Sequence, residues 1–233
     1  MVNRLILGPP GCGKTHTLID IVQKSLAMGI APDRIGYVSF TRKAVAEAMS
    51  RAQEKFGLTA AQLPHFKTLH AFGYHGLGLS KGDVMAPEDW RILGNKLGLK
   101  FTGTSISNMD EGVLISPGRG SGDNYLKVIN RAAMRNISIE QEFRELGNYD
   151  LSFEYLVKIR NAVEDYKREF IKMDFTDMIR MFITAGNSPR LEVLIVDEAQ
   201  DLVPLQWEMV RLLAANSRHI YYAGDDDQAI HRW

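Results

Sequence analysis

Cysteine is nearly absent: Cys12 is the only one in 233 residues. That excludes an internal disulfide and every zinc site built from several thiolates, and a reducing cytoplasm is the expected compartment. Long apolar runs are lacking too. Stretches such as Leu191 to Val196 fall far short of the ~20 residues that span a bilayer, so no membrane segment is expected. The opening residues, Met-Val-Asn-Arg-Leu-Ile-Leu-Gly, carry no basic region followed by a long apolar stretch, so no secretory signal is visible. Net charge is missing as well. The 28 basic side chains balance 28 acidic ones, which alone argues against bulk binding to a polyanion.

What is present describes a folded chain. A hydrophobic fraction of 45% excludes a wholly disordered protein, and the length allows one large domain or two small ones. The zero charge hides a gradient. Residues 1–78 carry nine basic and four acidic side chains, whereas residues 191–233 carry three and eight.

The pattern along the chain alternates. Residues 2–7 read as a strand ending at Gly8, Thr15 to about Met28 as a helix, Ile35 to Phe40 as a second strand, and Arg42 to Phe56 as a second helix. Such alternation predicts parallel βαβ units. His65 to Leu69 reads as a short strand end, followed by a stretch of small residues with Gly73, Gly76 and Gly78. Residues 79–150 change character. They are glycine-rich, with a Gly/Ser loop at 116–122 and helical pieces at about 87–97 and 124–135, and they read as an inserted, mainly helical subdomain. Residues 151–184 read as one or two helices, Leu191 to Val196 as a buried parallel strand, Leu202 to Ala215 as a helix, and Ile220 to Ala223 as another buried strand.

Two segments carry chemistry. Gly8-Pro9-Pro10-Gly11-Cys12-Gly13-Lys14-Thr15 fits the pattern G-x-x-x-x-G-K-[ST] between a strand and a helix. Glycines let backbone N–H groups approach phosphates, and the helix presents its N-terminus to negative charge. Lys14 reaches the terminal phosphates, and the Thr15 hydroxyl holds Mg²⁺. His16 lies in the same stretch and is counted with it, although alone it reads as an exposed histidine. Cys12 reads as a small residue that the loop tolerates. The second segment, Asp197-Glu198-Ala199-Gln200-Asp201, follows a buried strand, at the edge where open α/β sheets bind ligands. Asp197 suits Mg²⁺ and Glu198 suits activation of water; the bland alternative is an acidic helix start.

These two segments resemble motifs I and II of superfamily 1 helicases of the UvrD, Rep and PcrA kind. Ser39-Phe40-Thr41-Arg42-Lys43-Ala44 resembles the motif after their second strand, and Lys67-Thr68-Leu69-His70-Ala71-Phe72 their Thr-x-His motif. The run from Ala223 to Trp233 resembles motif III, and Asp174-Phe175-Thr176-Asp177-Met178 a stretch preceding motif II. The resemblance implies a RecA-like P-loop NTPase domain from residues 1–78 and 151–233 (subdomain 1A), with 79–150 as the inserted helical accessory subdomain (1B). The second RecA-like domain of the family is expected to be absent after Trp233, along with its arginines that complete the ATP site.

The implied activity is that of an ATP-dependent DNA helicase or translocase moving 3′ to 5′ on single-stranded DNA. ATP and Mg²⁺ would be its cofactors, and repair, replication or recombination proteins its partners. By resemblance, Lys14, Asp197, Glu198 and Gln228 form the catalytic set, with Gln228 sensing the γ-phosphate. Phe40, Thr41, Arg42, Thr68, His70, His231 and Trp233 would lie along the strand track. Aromatic faces stack bases with about 1–3 kcal/mol each, yet Phe40 could equally end a strand in the core, Trp233 could be a packing residue, and Arg42 could solvate a helix start. His231 stands where the family usually has tyrosine. The segment that reads adenine, expected ahead of the first strand, is not seen. A catalytically incomplete module that binds DNA or a partner protein is the alternative, and a kinase on the same scaffold is a remoter one.

Overall fold

The computed structural model of the protein describes residues 2–9, 11–102, 120–147 and 150–225. Its framework is a five-stranded, all-parallel sheet. In chain order the strands are β1 (Val2–Leu7), β2 (Ile35–Ser39), β3 (Phe66–Thr68), β4 (Leu191–Asp197) and β5 (Ser217–Gly224). In space they run β1-β5-β4-β2-β3. β4 is central and packed on both faces, which is why its sequence is nearly continuous in apolar residues rather than alternating.

Two helices cover one face: α1 (Lys14–Ala27) and α2 (Arg42–Phe56). Leu18, Ile19 and Val22 of α1, with Val45, Ala48 and Ala52 of α2, pack on Ile35, Tyr37, Val193 and Ile195. Their 3–4-residue spacing is the apolar stripe that the sequence shows. The other face carries α3 (Leu69–Gly76), α8 (Phe175–Ala185) and α9 (Pro204–Ala215). Leu69, Phe72, Phe182, Met209 and Leu213 there bury Val38, Leu194, Val196 and Ile220.

The remaining helices are α4 (Pro87–Leu97), α5 (Asp123–Arg135), α6 (Ile139–Leu146) and α7 (Phe153–Phe170). They form a cluster of their own: Met85, Trp90, Leu93 and Leu126 pack on Ile159, Val163 and Tyr166 of α7. That cluster draws on residues from both sides of position 150. Polar contacts tie it to the sheet layer. Asn136 Nδ2 donates to Glu208 Oε1 at 2.8 Å, and an Arg180 guanidinium nitrogen donates to the Ala133 carbonyl at 3.3 Å.

Several readings are corrected. The small-residue stretch after Leu69 is the helix α3, because Thr68 caps it and Gly73 lets it lie against the Met178 backbone. The second strand stops at Ser39, one residue before Phe40. The helix expected from Leu202 begins at Pro204, preceded by a 3-10 turn at Ala199–Asp201; Pro204 suits a first helical turn, where its missing N–H has no intrahelical partner anyway. α6 had no clear sequence signal. Its eight residues are held by Glu142, fully buried between Arg131 and Arg135 at 2.7 and 2.5 Å. Most of the Gly/Ser loop at 116–122 lies outside the described residues. Among those that are described, no helix is long and apolar enough to cross a membrane.

Candidate nucleotide site and flanking edge

All five strands are parallel, so their C-terminal ends share one edge of the sheet. The chemistry-bearing segments emerge there. The loop from Gly8 follows β1, and the Gly8 N–H donates to Gly224 O at 3.3 Å, locking the loop's start to the end of β5. Gly11 and Gly13 adopt left-handed conformations, with φ of 76° and 89°, which only glycine adopts at little cost. The loop thus turns directly into α1. Gly13 occupies the N-cap position and offers no side-chain cap, and the first turn holds no acidic residue. The amide groups of that turn therefore keep the positive end of the helix open to an anion.

Lys14 folds back over the loop, its Nζ donating to Gly8 O at 2.6 Å. The Cys12 sulfur sits above Gly8, where any Cβ would approach it to 2.4 Å, so a small residue is required at position 8. Cys12 itself is exposed. Thr15 is half-buried in the first turn of α1. His16 projects into solvent and faces Asp20, one turn on, at 3.5 Å. Pro10 lies outside the described residues.

Asp197 ends β4 and is 3% exposed. Each of its oxygens is engaged: Tyr37 Oη donates to Oδ2 at 2.5 Å, and the Glu198 N–H donates to Oδ1 at 3.0 Å. Burial raises the Asp197 carboxyl above its ordinary range, opposed by the Tyr37 bond and by the Lys14 charge. Burial and the neighbouring carboxylate likewise push the Tyr37 hydroxyl far up, so it stays protonated and donates. Ser39 pairs in register with Asp197 on β2. Its hydroxyl is buried and has no partner among the described residues.

Glu198 takes a left-handed backbone with φ 52°, an uncommon state for a residue with a side chain, and this turns it out of the strand line. Gln200 Nε2 donates to Glu198 Oε2 at 2.9 Å, while Gln200 Oε1 accepts from the Asp225 N–H at 3.2 Å. One amide therefore links the end of β4 to the end of β5. Gly224 leaves room for it, since a Cβ there would lie 2.8 Å from Gln200 Oε1. The donor set suits Mg²⁺, which prefers hard oxygens from one or two protein groups plus phosphates: the buried Asp197 carboxylate, the Thr15 hydroxyl and the unpartnered Ser39 hydroxyl.

The described candidates for the strand track, residues 40–42, 68 and 70, lie on the same edge beyond β4. Thr41 caps α2, accepting from the Ala44 N–H at 3.2 Å, and exposed Arg42 opens that helix. Thr68 is buried and caps α3 through the Ala71 N–H at 3.3 Å. His70 packs edge-on against Phe175 at 5.8 Å, and burial pulls its imidazole down to about 4. Phe40 is 7% exposed and belongs to the core beside Leu69 and Phe72. Phe40 and Thr68 thus face inward, whereas Arg42 faces solvent. Gln228, His231 and Trp233 lie outside the described residues.

Sequence reasoning gave no role to Tyr37, Ser39 or Gln200. For Tyr37 the available signal is a phenol hydroxyl in the middle of a short buried strand, two residues before its end at Ser39. The Asp174 stretch has a local explanation. Asp174 accepts from the Thr176 and Asp177 N–H groups at the start of α8, and Asp177 accepts from the Asp174 N–H. Lys167, 7% exposed, sits among Glu164, Asp174 and Asp177 at 2.8, 3.0 and 2.8 Å.

A parallel sheet with a phosphate loop after one strand and a buried carboxylate two strands away defines a P-loop NTPase of the RecA-like kind. The sequence profile of the UvrD/REP helicase N-terminal domain matches residues 2–233, and the chain belongs to that family. DNA helicase II of Haemophilus influenzae is 26% identical over 246 residues, covering 99% of this chain and 33% of that protein. DNA helicase II of Escherichia coli (strain K12) is 25% identical over 240 residues, 99% of this chain and 32% of its own length. The ATP-dependent DNA helicase Rep of Buchnera aphidicola subsp. Baizongia pistaciae is 24% identical over 245 residues, with 98% and 34% covered. The chain thus spans about a third of the length of these curated relatives.

Proposed function

We propose that residues 1–233 form the nucleotide-gripping part of a DNA motor that couples ATP hydrolysis to 3′–5′ movement on single-stranded DNA. The observation that carries this reading is the juxtaposition of Lys14 and Asp197 on one sheet edge, close enough for the Lys14 charge to act on the Asp197 carboxylate. The relatives' names supply the DNA part of the proposal.

In this reading the phosphates of ATP lie over the Gly8–Thr15 loop and the first turn of α1. Lys14 leaves Gly8 O and turns its ammonium to the terminal phosphates. Thr15 and Asp197 would hold Mg²⁺, which would neutralise phosphate charge when bound. Glu198, aimed by Gln200, takes the proton of the attacking water. Gln228 senses the γ-phosphate. The edge beyond β4, with Thr41, Arg42, Thr68 and His70, borders the DNA strand, Phe40 supports it from the core, and His231 and Trp233 are assigned to the strand by family resemblance alone. Residues 1–78 and 151–233 act as the RecA-like unit and 79–150 as the accessory helical one.

The test is ATP turnover by the purified chain, with and without single-stranded oligonucleotide. DNA-stimulated hydrolysis that disappears in Lys14→Ala supports the motor. DNA binding with no effect on turnover favours a binding module instead. Translocation on strands labelled at one end or the other reads the direction.

A further inference from the structure

At the opposite edge of the sheet from the phosphate loop, a cavity of about 410 Å³ opens beside β3. His65 and Lys67 alternate with the buried Phe66, so both side chains leave the edge strand on the α3/α8 face. His75 comes from the last turn of α3, and Ser188 from the segment before β4. Phe72 and Phe182 make the apolar floor. Gly76 is needed there, because a Cβ would meet the Phe182 ring at 2.4 Å. His65 stacks on Phe72 at 5.8 Å with an interplanar angle of 11°, which fixes its ring at the wall.

The electrostatics are one-sided. Among the described residues, one lysine and two histidines line the cavity, and no carboxylate does. Lys67 is partly buried, and burial lowers its ammonium; no ion pair compensates it among the described residues. Burial first, and then the Lys67 charge, presses both His65 and His75 below the usual imidazole range, with Asp33 opposing it at His65. Lys67 thus carries the charge of the cavity, partly desolvated, with no carboxylate in the lining to balance it. A bound phosphate dianion supplies the missing counter-charge, gaining a charge-assisted hydrogen bond from Lys67 and N–H bonds from the two imidazoles.

We propose that this cavity is a second anion site, binding the phosphate group of a small molecule through Lys67, His65 and His75, with the Ser188 hydroxyl at its rim. It is separate from the nucleotide site. β3 and β1 are opposite ends of the strand order, about 19 Å apart at four strand spacings. The cavity also lies towards the N-terminal ends of the parallel strands, whereas the phosphate loop follows a C-terminal end.

The experiment follows the histidine ring signals by NMR while inorganic phosphate, AMP or a short oligothymidylate is added. It uses the wild-type chain and Lys14→Ala, which lacks the phosphate-loop lysine. The expected result is saturable movement of the His65 and His75 signals with phosphate or AMP in both proteins. Lys67→Gln should weaken it about tenfold or more, the loss of one charge-assisted hydrogen bond, and His75→Gln provides a second, independent variant. Tighter binding of AMP than of phosphate assigns the site to a nucleotide, and equal binding assigns it to the phosphate alone; both support the site. Unmoved signals with phosphate and AMP, movement lost in Lys14→Ala, or movement with oligothymidylate alone would overturn it.

Discussion

The hydroxyl of Tyr37 on β2 donates to Asp197 Oδ2 on β4 at 2.5 Å, reaching along the sheet from a position in register with Ile195 to the end of the neighbouring strand. Both residues are buried, and Tyr37 is fixed from behind by stacking on Phe66 at 5.3 Å. The carboxylate is therefore aimed by a rigid partner rather than by solvent. A ligand carboxylate held in this way loses about 10- to 100-fold in metal affinity when its support is removed. Tyr37→Phe should raise the Mg²⁺ concentration needed for half-maximal nucleotide binding by about that factor, read by titration with a fluorescent ATP analogue. An unchanged Mg²⁺ requirement would separate Tyr37 from the site.

Lys14 already points at an acceptor, the Gly8 carbonyl, at 2.6 Å. Nucleotide must offer it a better one. Lys14→Ala should weaken ATP binding about 10- to 100-fold, the value of a charge-assisted hydrogen bond or two, and lower the stability of the free chain by about 1 kcal/mol at most, the net worth of the Gly8 bond. Calorimetric titration measures the first and a melting curve the second.

Gln200 spans Glu198 and the Asp225 N–H with the two ends of one amide. Gln200→Leu keeps the volume and removes both bonds. The turnover of bound ATP should fall about ten- to a hundredfold, the cost of a misplaced catalytic group, while ATP affinity holds. Glu198→Gln should also bind normally and lose about 10²–10⁴ in turnover. Equal loss of affinity in either variant would count against their assigned roles.

Burial pulls the His70 imidazole down to about 4 from an ordinary value of 6.5. Between those values the unfolded chain binds a proton that the folded chain refuses. Stability therefore rises with pH through this window and is lost as pH falls from 6.5 towards 4, by on the order of 3 kcal/mol from this group. His70→Gln should flatten that part of the stability–pH curve, measured by urea denaturation between those two values. A curve of unchanged slope would refute the assignment.

Lys167 is enclosed by Glu164, Asp174 and Asp177. Burial alone would lower its ammonium, but the carboxylates outweigh it and hold the charge. Lys167→Met leaves those carboxylates facing one another. Unfolding free energy should drop by about 3–5 kcal/mol, the cost of breaking a buried ion pair from one side. A denaturation midpoint equal to that of the wild type would rule this out.

Much of the fold was legible because its signals are local. Alternation of apolar strands and striped helices gave β1, α1, β2, α2, α4, α5 and β4 to within a few residues. The run from Gly8 to Thr15 carries its own geometry, since glycines at positions 11 and 13 permit a turn that little else permits. α3 was misread because its glycines suppress helix propensity, and only packing on α8 repays them. α6 was missed because its stability comes from one buried glutamate and two arginines seven and more residues away.

The sequence by itself determined the phosphate loop, the acidic strand end and the parallel α/β class, because each rests on residues adjacent in the chain. Only the tertiary structure decided which side chains serve those groups. Tyr37 and Asp197 are 160 residues apart, and Gln200 and Asp225 are 25 apart. The strand order β1-β5-β4-β2-β3 brings them together, and no local pattern encodes a strand order. The same holds for Phe40. Its place in a motif was readable from its neighbours, but its burial depends on helices from distant parts of the chain closing over the sheet.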